Sequence, residues 1–232
     1  MNRLDFQTAF QELTPLLLDS LWIVVTLVIF SFALALVVGM LIALGRLSKS
    51  KYLNGILVVF LEIVRGTPLL VQLLYVYYVM PEIISMIGQI WDPNYHMNFS
   101  AYTASILGLG VNYGCYLSEV FRSSIQSIDK GQMEAAQALG YTSRQAMWHI
   151  IIPQSFQVSL PPIGNYFTAM VKDTSLCAFV TLGEIILTTQ SYASQTFLTI
   201  ESYTIAALIY LMISLPLSQV VRILERRSRR HV

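Results

Sequence analysis

Apolar residues along this chain come in long runs, not in the short alternations of strands or the narrow stripes of soluble helices. A bilayer core about 30 Å thick takes roughly 20 apolar helical residues to cross. Five runs reach that length, at residues 16–44, 53–80, 101–121, 150–171 and 203–224. The pattern predicts an all-α membrane protein with five transmembrane helices in a single domain, residues 1–232. Between the fourth and fifth runs, residues 175–187 are apolar but too short to cross. They read as a re-entrant or surface helix within an outer segment, 173–202.

Composition agrees with this reading. Of 232 residues, 55% are hydrophobic and 12% charged, about half the charged share of a soluble domain. The net charge of +1 points to neither nucleic acid nor an acidic partner. The distribution of charge says more. Arg46, Lys49, Lys51, Arg122, Lys130, Arg144, Arg222, Arg226, Arg227, Arg229 and Arg230 fall on one side of the five runs, and Arg3 alone on the other. Basic loops stay in the cytoplasm. The N-terminus is therefore expected outside and the C-terminus inside. Glu12, Asp19, Glu82, Asp92, Glu184 and Glu201 then face outward, with Tyr75, Tyr77 and Tyr78 as interfacial anchors at the outer end of run two.

The N-terminus is not a plain secretory signal. It carries Asp5, Glu12 and Asp19, and its apolar run continues past the cleavage-like Ala33-Leu34-Ala35 to Leu44. Cys115 and Cys177 cannot make a disulfide framework and read as packing residues.

The most polar stretch, residues 123–149, lies on the basic side. Asp129 with Gln132 three residues on reads as a helix cap. A helix of about two turns follows, residues 133–139, and Gly140 stops it by accepting a left-handed turn. Thr142 and Gln145 then cap a helix leading into run four. So short a helix is marginal in water, so it needs a docking partner or a membrane surface.

The spacing Glu134-Ala135-Ala136, three residues, Gly140, nine residues, Ile150 and Pro153 resembles the EAA loop of ABC transporter permeases. "RGTPLLVQL" (65–73), "SIDKGQMEAA" (127–136) and "VKDTSL" (171–176) are similar to the polar amino acid permeases, the group of histidine, glutamine, arginine and cystine importers. The resemblance covers nearly the whole chain. It implies a MetI-like permease fold and a location in the bacterial cytoplasmic membrane. It implies ATP-driven import of a polar amino acid, with cystine-type permeases somewhat nearer than arginine-type ones. It implies two copies of an ATP-binding subunit that carries the ATP and Mg, a second permease copy or paralogue, an extracytoplasmic amino-acid-binding protein and surrounding lipid. Glu134, Ala135, Ala136, Leu139 and Gly140 would be the coupling contact.

No G-x-x-x-x-G-K-[ST] phosphate loop occurs, so ATP hydrolysis is not expected of this chain. His96, His149 and His231 are scattered without ligand spacing, and no catalytic constellation or metal set is expected. Polar groups inside a membrane and broken helices mark transport sites. Run two breaks at Gly66-Thr67-Pro68, about 14 residues in, or roughly 21 Å at ~1.5 Å per residue. Thr67 lies in that break and Gln72 follows it on the face of Pro68. Asn112 lies at mid-depth of run three, among Gly108, Gly110 and Gly114, which read as close-packing positions. Pro161-Pro162, Gly164 and Asn165 interrupt run four, and Lys172, Asp173 and Thr174 close it. Thr67, Gln72, Asn112, Lys172, Asp173 and Thr174 are the expected substrate residues. Lys172 would meet a carboxylate and Asp173 an ammonium, although a mutual pair or a snorkelling Lys172 fits the same residues. Glu62 and Arg65, three apart, are expected to satisfy each other.

A self-sufficient ion-coupled transporter is the competing reading, with Glu62, Arg65, Lys172 and Asp173 as coupling groups. The capped helix–Gly–helix loop has no purpose in such a protein, and no inverted repeat is visible. A scaffold without transport is opposed by the broken helices.

Overall fold

The computed structural model describes residues 4–48 and 50–228. Of the positions named above, Arg3, Lys49, Arg229, Arg230, His231 and the side chain of Arg227 lie outside the described residues. Among the described residues every regular element is helical. Helix α1 runs Phe6–Arg46 and α2 Lys51–Gly66. Helices α3 (Leu69–Leu74) and α4 (Met80–Gly88) are joined by a π-turn, Tyr75–Val79. Helix α5 spans Ala101–Gln126. The polar loop holds α6 (Lys130–Ala138) and α7 (Ser143–Ala146). A second π-turn, Met147–Ile151, leads into α8 (Ile152–Asp173). A 3-10 turn (Thr174–Val180), α9 (Ile185–Thr196) and α10 (Thr199–Ser228) follow.

Contacts give the direction of each helix. Leu34 of α1 meets Gly110 of α5, Val38 meets Gly114, and Arg46 meets Glu119, so these two helices run parallel. Asp173 of α8 meets Tyr113 of α5, and Tyr166 meets Tyr116, so α8 runs the other way. Asp5 at the start of α1 meets Glu201 at the start of α10. Helices α1, α5 and α10 thus share one direction. Arg46, Arg122, α6 and α7 gather at one end, and Asp5, Glu12 and Glu201 at the other.

Among the described residues, three helices combine the length and apolarity that crossing a membrane requires: Phe6–Arg46, the continuous Leu69–Gly88, and Thr199–Ile223. Helices α5 and α8, with 26 and 22 residues, are long enough at ~1.5 Å per residue but more polar. Their polar residues turn inward: Ser105, Asn112 and Ser118 on α5, and Ser155, Ser159 and Thr168 on α8, are buried. The second apolar run is not one helix but two, parted after Gly66.

Helix α1 starts at Phe6, well before residue 16. Asp5 caps it, accepting from the Thr8 N–H at 3.0 Å. Ala9 and Leu13 are fully buried. Tyr192 of α9 donates to Glu12 at 2.8 Å, and the Asp5 N–H donates to Glu201 at 2.8 Å. The first turns are polar yet packed on α9 and α10, which a search for apolar runs passes over. The short outer helix also differs from expectation. Residues 174–180 form a 3-10 turn, Thr181 turns left-handed (φ 61°), and the α-helix begins only at Ile185. Buried Glu184 caps it, accepting from the N–H groups of Ile186 and Leu187 while Tyr210 donates to its other oxygen at 2.9 Å.

The α1–α5 contact forms the core and depends on missing side chains. A Cβ on Gly114 would stand 2.8 Å from Val38 Cγ1, and one on Gly39 would stand 3.0 Å from the Gly114 carbonyl oxygen. Backbones this close exclude larger residues. Gly114→Leu is expected to destabilise the fold by about 1–3 kcal/mol through overpacking. Gly55→Leu on α2, where nothing lies within 4 Å, is expected to leave stability unchanged. Thermal unfolding of both variants in one detergent checks the pair.

Candidate functional site

The break between α2 and α3 follows from one missing proton. In an unbroken helix the N–H of residue 68 would donate to the Val64 carbonyl, and proline has none. Thr67 and Pro68 are extended (ψ 143° and 138°). Gln72 Nε2 supplies the lost donor, reaching the Val64 oxygen at 2.6 Å and the Thr67 oxygen at 3.0 Å. The Thr67 hydroxyl donates to the Ile63 oxygen at 3.0 Å. Asn112 Nδ2 of α5 then donates to Gln72 Oε1 at 3.0 Å. The break is thereby closed chemically and tied to α5.

Beside it lies a cavity of about 470 Å³ between the break, α5 and α8. Its wall carries three tyrosines. Tyr166 stacks on Tyr116 (5.8 Å between centroids, 27°) and meets Tyr113 edge-on (6.2 Å, 87°). Arg65 lies over the Tyr116 ring, its Cζ 5.5 Å from the centroid, a cation–π contact. Asp173 also lines the cavity and accepts from the Tyr113 hydroxyl at 2.7 Å. A cation and a carboxylate thus share one aromatic chamber, the carboxylate a helical turn nearer the end that carries Asp5 and Glu201.

Of the expected substrate residues, Thr67, Asn112 and Asp173 line this chamber. Gln72 does not; it braces the break and borders a separate apolar groove. Lys172 is exposed and does not line this chamber. Thr174 is fully buried and its hydroxyl donates to the Val171 oxygen at 2.8 Å. Successive residues at the end of α8 point about 100° apart, so of the three only Asp173 lines the chamber.

The expected Glu62–Arg65 pair is absent as well. Glu62 is exposed. Arg65 faces Glu119 instead, at 3.9 Å. Glu119 pairs with Arg46 and accepts from Arg122 Nη2 at 2.8 Å. Arg65, Tyr113, Tyr116 and Tyr166 also line the cavity, although they were not among the expected substrate residues. The i, i+3 spacing of Tyr113 and Tyr116, next to Asn112, was the available signal.

At the opposite end of the site, α6 ends as the loop pattern requires. The Gly140 N–H bonds the Gln137 oxygen at 3.0 Å and the Tyr141 N–H bonds the Ala136 oxygen at 3.1 Å, with Gly140 left-handed (φ 89°). This is a complete Schellman stop. Of the two expected caps, the second forms a full capping box and the first does not. Thr142 and Gln145 form it, whereas Asp129 accepts from Gly131 N–H at 2.6 Å. Gln132 Oε1 accepts instead from Gln154 at 3.3 Å, tying α6 to α8. Glu134, Ala135 and Gly140 are exposed, and Leu139 is 80% exposed. Ala136, between them, is buried against the rest of the chain.

Residues 35–230 match the family described as binding-protein-dependent transport system inner membrane component. The L-cystine transport system permease protein TcyB of Bacillus subtilis (strain 168) is 33% identical over 223 residues, 96% of this chain and 90% of that protein. The glutamine transport system permease protein GlnP of Escherichia coli (strain K12) is 30% identical over 215 residues, 93% of this chain and 94% of that one. Among solved structures, an amino acid ABC transporter crystallised with histidines matches with a TM-score of 0.84 at 32% identity, over 98% of this chain and 100% of that chain. The MetNI methionine ABC transporter, inward-facing, matches with a TM-score of 0.65 at 14% identity, over 91% and 97%, which speaks for the fold alone. On the family match and these identities, the chain belongs to the inner-membrane permeases of binding-protein-dependent ABC transport systems, among those for amino acids.

Proposed function

We propose that this chain forms the translocation path of an ATP-driven amino acid importer and holds the amino acid in the chamber between the α2–α3 break, α5 and α8. One observation carries the reading: Arg65 and Asp173, of opposite charge, line the same tyrosine-walled cavity. Arg65 would take the ligand's carboxylate and Asp173 its ammonium, each as a charge-assisted hydrogen bond. Arg65 takes the place that Lys172 was expected to fill. Thr67 and Asn112 add neutral polar groups, and the tyrosines a surface for the side chain. The relatives carry cystine and glutamine by name; cystine, named for TcyB, is the first candidate here.

Helix α6 is the proposed contact for a separate ATP-binding subunit, present in two copies with its ATP and Mg. Exposed Glu134 and Ala135 on it, and Leu139 and Gly140 just past its end, stand at the basic end, which faces the cytoplasm in this reading. Five crossings follow if α5 and α8 cross shielded by α1, α3 and α10, leaving the N-terminus outside. A second permease copy or a paralogue completes the path, and an extracytoplasmic binding protein delivers the amino acid. The place of work is the bacterial cytoplasmic membrane.

Two measurements test this. Equilibrium binding of L-cystine and L-glutamine to the purified chain, without binding protein, is expected to weaken about 10- to 100-fold in Arg65→Ala and Asp173→Ala and to stay unchanged in Lys172→Ala. Equal binding in all variants moves the site elsewhere. Co-purification with candidate ATP-binding subunits is expected for the parent and lost in Gly140→Asp, where a side chain meets φ 89° and a charge enters the contact. Retention by the variant ends the coupling reading and moves an ion-coupled carrier to the front.

A further inference from the structure

Glu119 stands outside the chamber, one turn of α5 beyond Tyr116 toward the basic end. Three guanidinium groups converge on it. Arg46 from the end of α1 and Arg122 from α5 hold it directly, the latter with Nε at 2.9 Å and Nη2 at 2.8 Å. Arg65 from α2 comes only to 3.9 Å, beyond hydrogen-bond length. It is also the most exposed of the three, at 37% against 18% for Arg46 and 29% for Arg122. The cluster carries three cations to one carboxylate, and the buried Arg46 Nε has no hydrogen-bond partner. It lacks one anion. The chamber next to it is where such an anion could arrive, and Arg65 is the group common to both.

We infer that Glu119 is a positioning residue that competes with the ligand's carboxylate for Arg65, so that filling the chamber releases α2 from the Arg46–Glu119–Arg122 cluster. With the chamber empty, Glu119 holds Arg65 over Tyr116 and ties the end of α2 to α1 and α5. A carboxylate at hydrogen-bond distance outbids a pair held at 3.9 Å. Arg65 turns into the chamber, and Glu119 keeps Arg46 and Arg122. The signal that the chamber is full is then a loosened contact among three helices on its basic side. The inference rests on the chamber being the amino acid site.

The test uses the full chain in lipid nanodiscs. Spin labels at Tyr52→Cys on α2 and Ser127→Cys beyond α5 report the α2–α5 separation; Cys115 and Cys177 are buried and stay unlabelled. The probes are L-histidine against histamine and L-cystine against cystamine, pairs that differ only in the carboxylates. Glu119→Gln is expected to broaden the ligand-free distance distribution. It is also expected to tighten binding of both amino acids about two- to fivefold, the worth of a partly exposed ion pair, without changing the two amines. Glu119→Asp keeps the charge for Arg46 and Arg122 and withdraws it from Arg65, so it moves both readouts the same way should the Gln variant fail to fold. Unchanged distances and affinities, or equal shifts for acids and amines, overturn the inference and leave the chamber reading standing. Failure of both amino acids to bind the parent overturns the two together.

Discussion

A carbonyl oxygen that loses its helical donor inside a membrane protein must find another, because water is not there to replace it. Pro68 creates that condition at Val64, and the structure around the site follows from how it is met. Gln72 bends back over the break, and Asn112 must then be at hand to use the other end of the amide. The break is thereby held against α5, the chain of α2 is splayed from α3, and room opens for a chamber. The polar residues that make α5 too polar for an apolar span are the residues this arrangement requires.

The second constraint is closeness. Glycines on α1 and α5 let the two backbones nearly touch, which fixes the height of α5 against α1 and so the height of Asn112, Tyr113, Tyr116 and Glu119. Dispersion contacts at such an interface do for a membrane protein what water exclusion does for a soluble one. With α5 held, α8 needs only its own twist to bring Tyr166 and Asp173 to the chamber.

Much of this was legible in the residues. The break, the glycine packing, the helix stop at Gly140 and the family resemblance depend on local rules, and each is visible in a few consecutive residues. Asn112 and Asp173 were legible as costly polar groups in apolar surroundings. Misreadings arose where a side chain had a choice. Arg65 had Glu62 one turn away in sequence, but Glu119 on another helix and the Tyr116 face were nearer in space. Lys172, Asp173 and Thr174 are adjacent in the chain, yet the rotation between helical neighbours admits one to the chamber. Ala136 reads as part of an exposed motif, but its small size serves the inner side of α6. The polar first turns of α1 carry no apolar run, because their partners Glu201 and Tyr192 lie near the other end of the chain.

The Schellman stop closes with Tyr141 and the capping box opens with Thr142, so no residue separates the two motifs. From Ser143 the chain is helical without interruption to Asp173, a rod of roughly 45 Å at ~1.5 Å per residue. One end carries α6 on a stiff elbow, and the other carries Tyr166 and Asp173. Pro161 and Pro162, which remove two backbone donors midway, are one place where such a rod yields. Mechanically the rod is a lever whose stiffness is interrupted at the Met147–Ile151 π-turn and at the proline pair, so a displacement at the elbow would be divided between bending there and movement of the chamber wall.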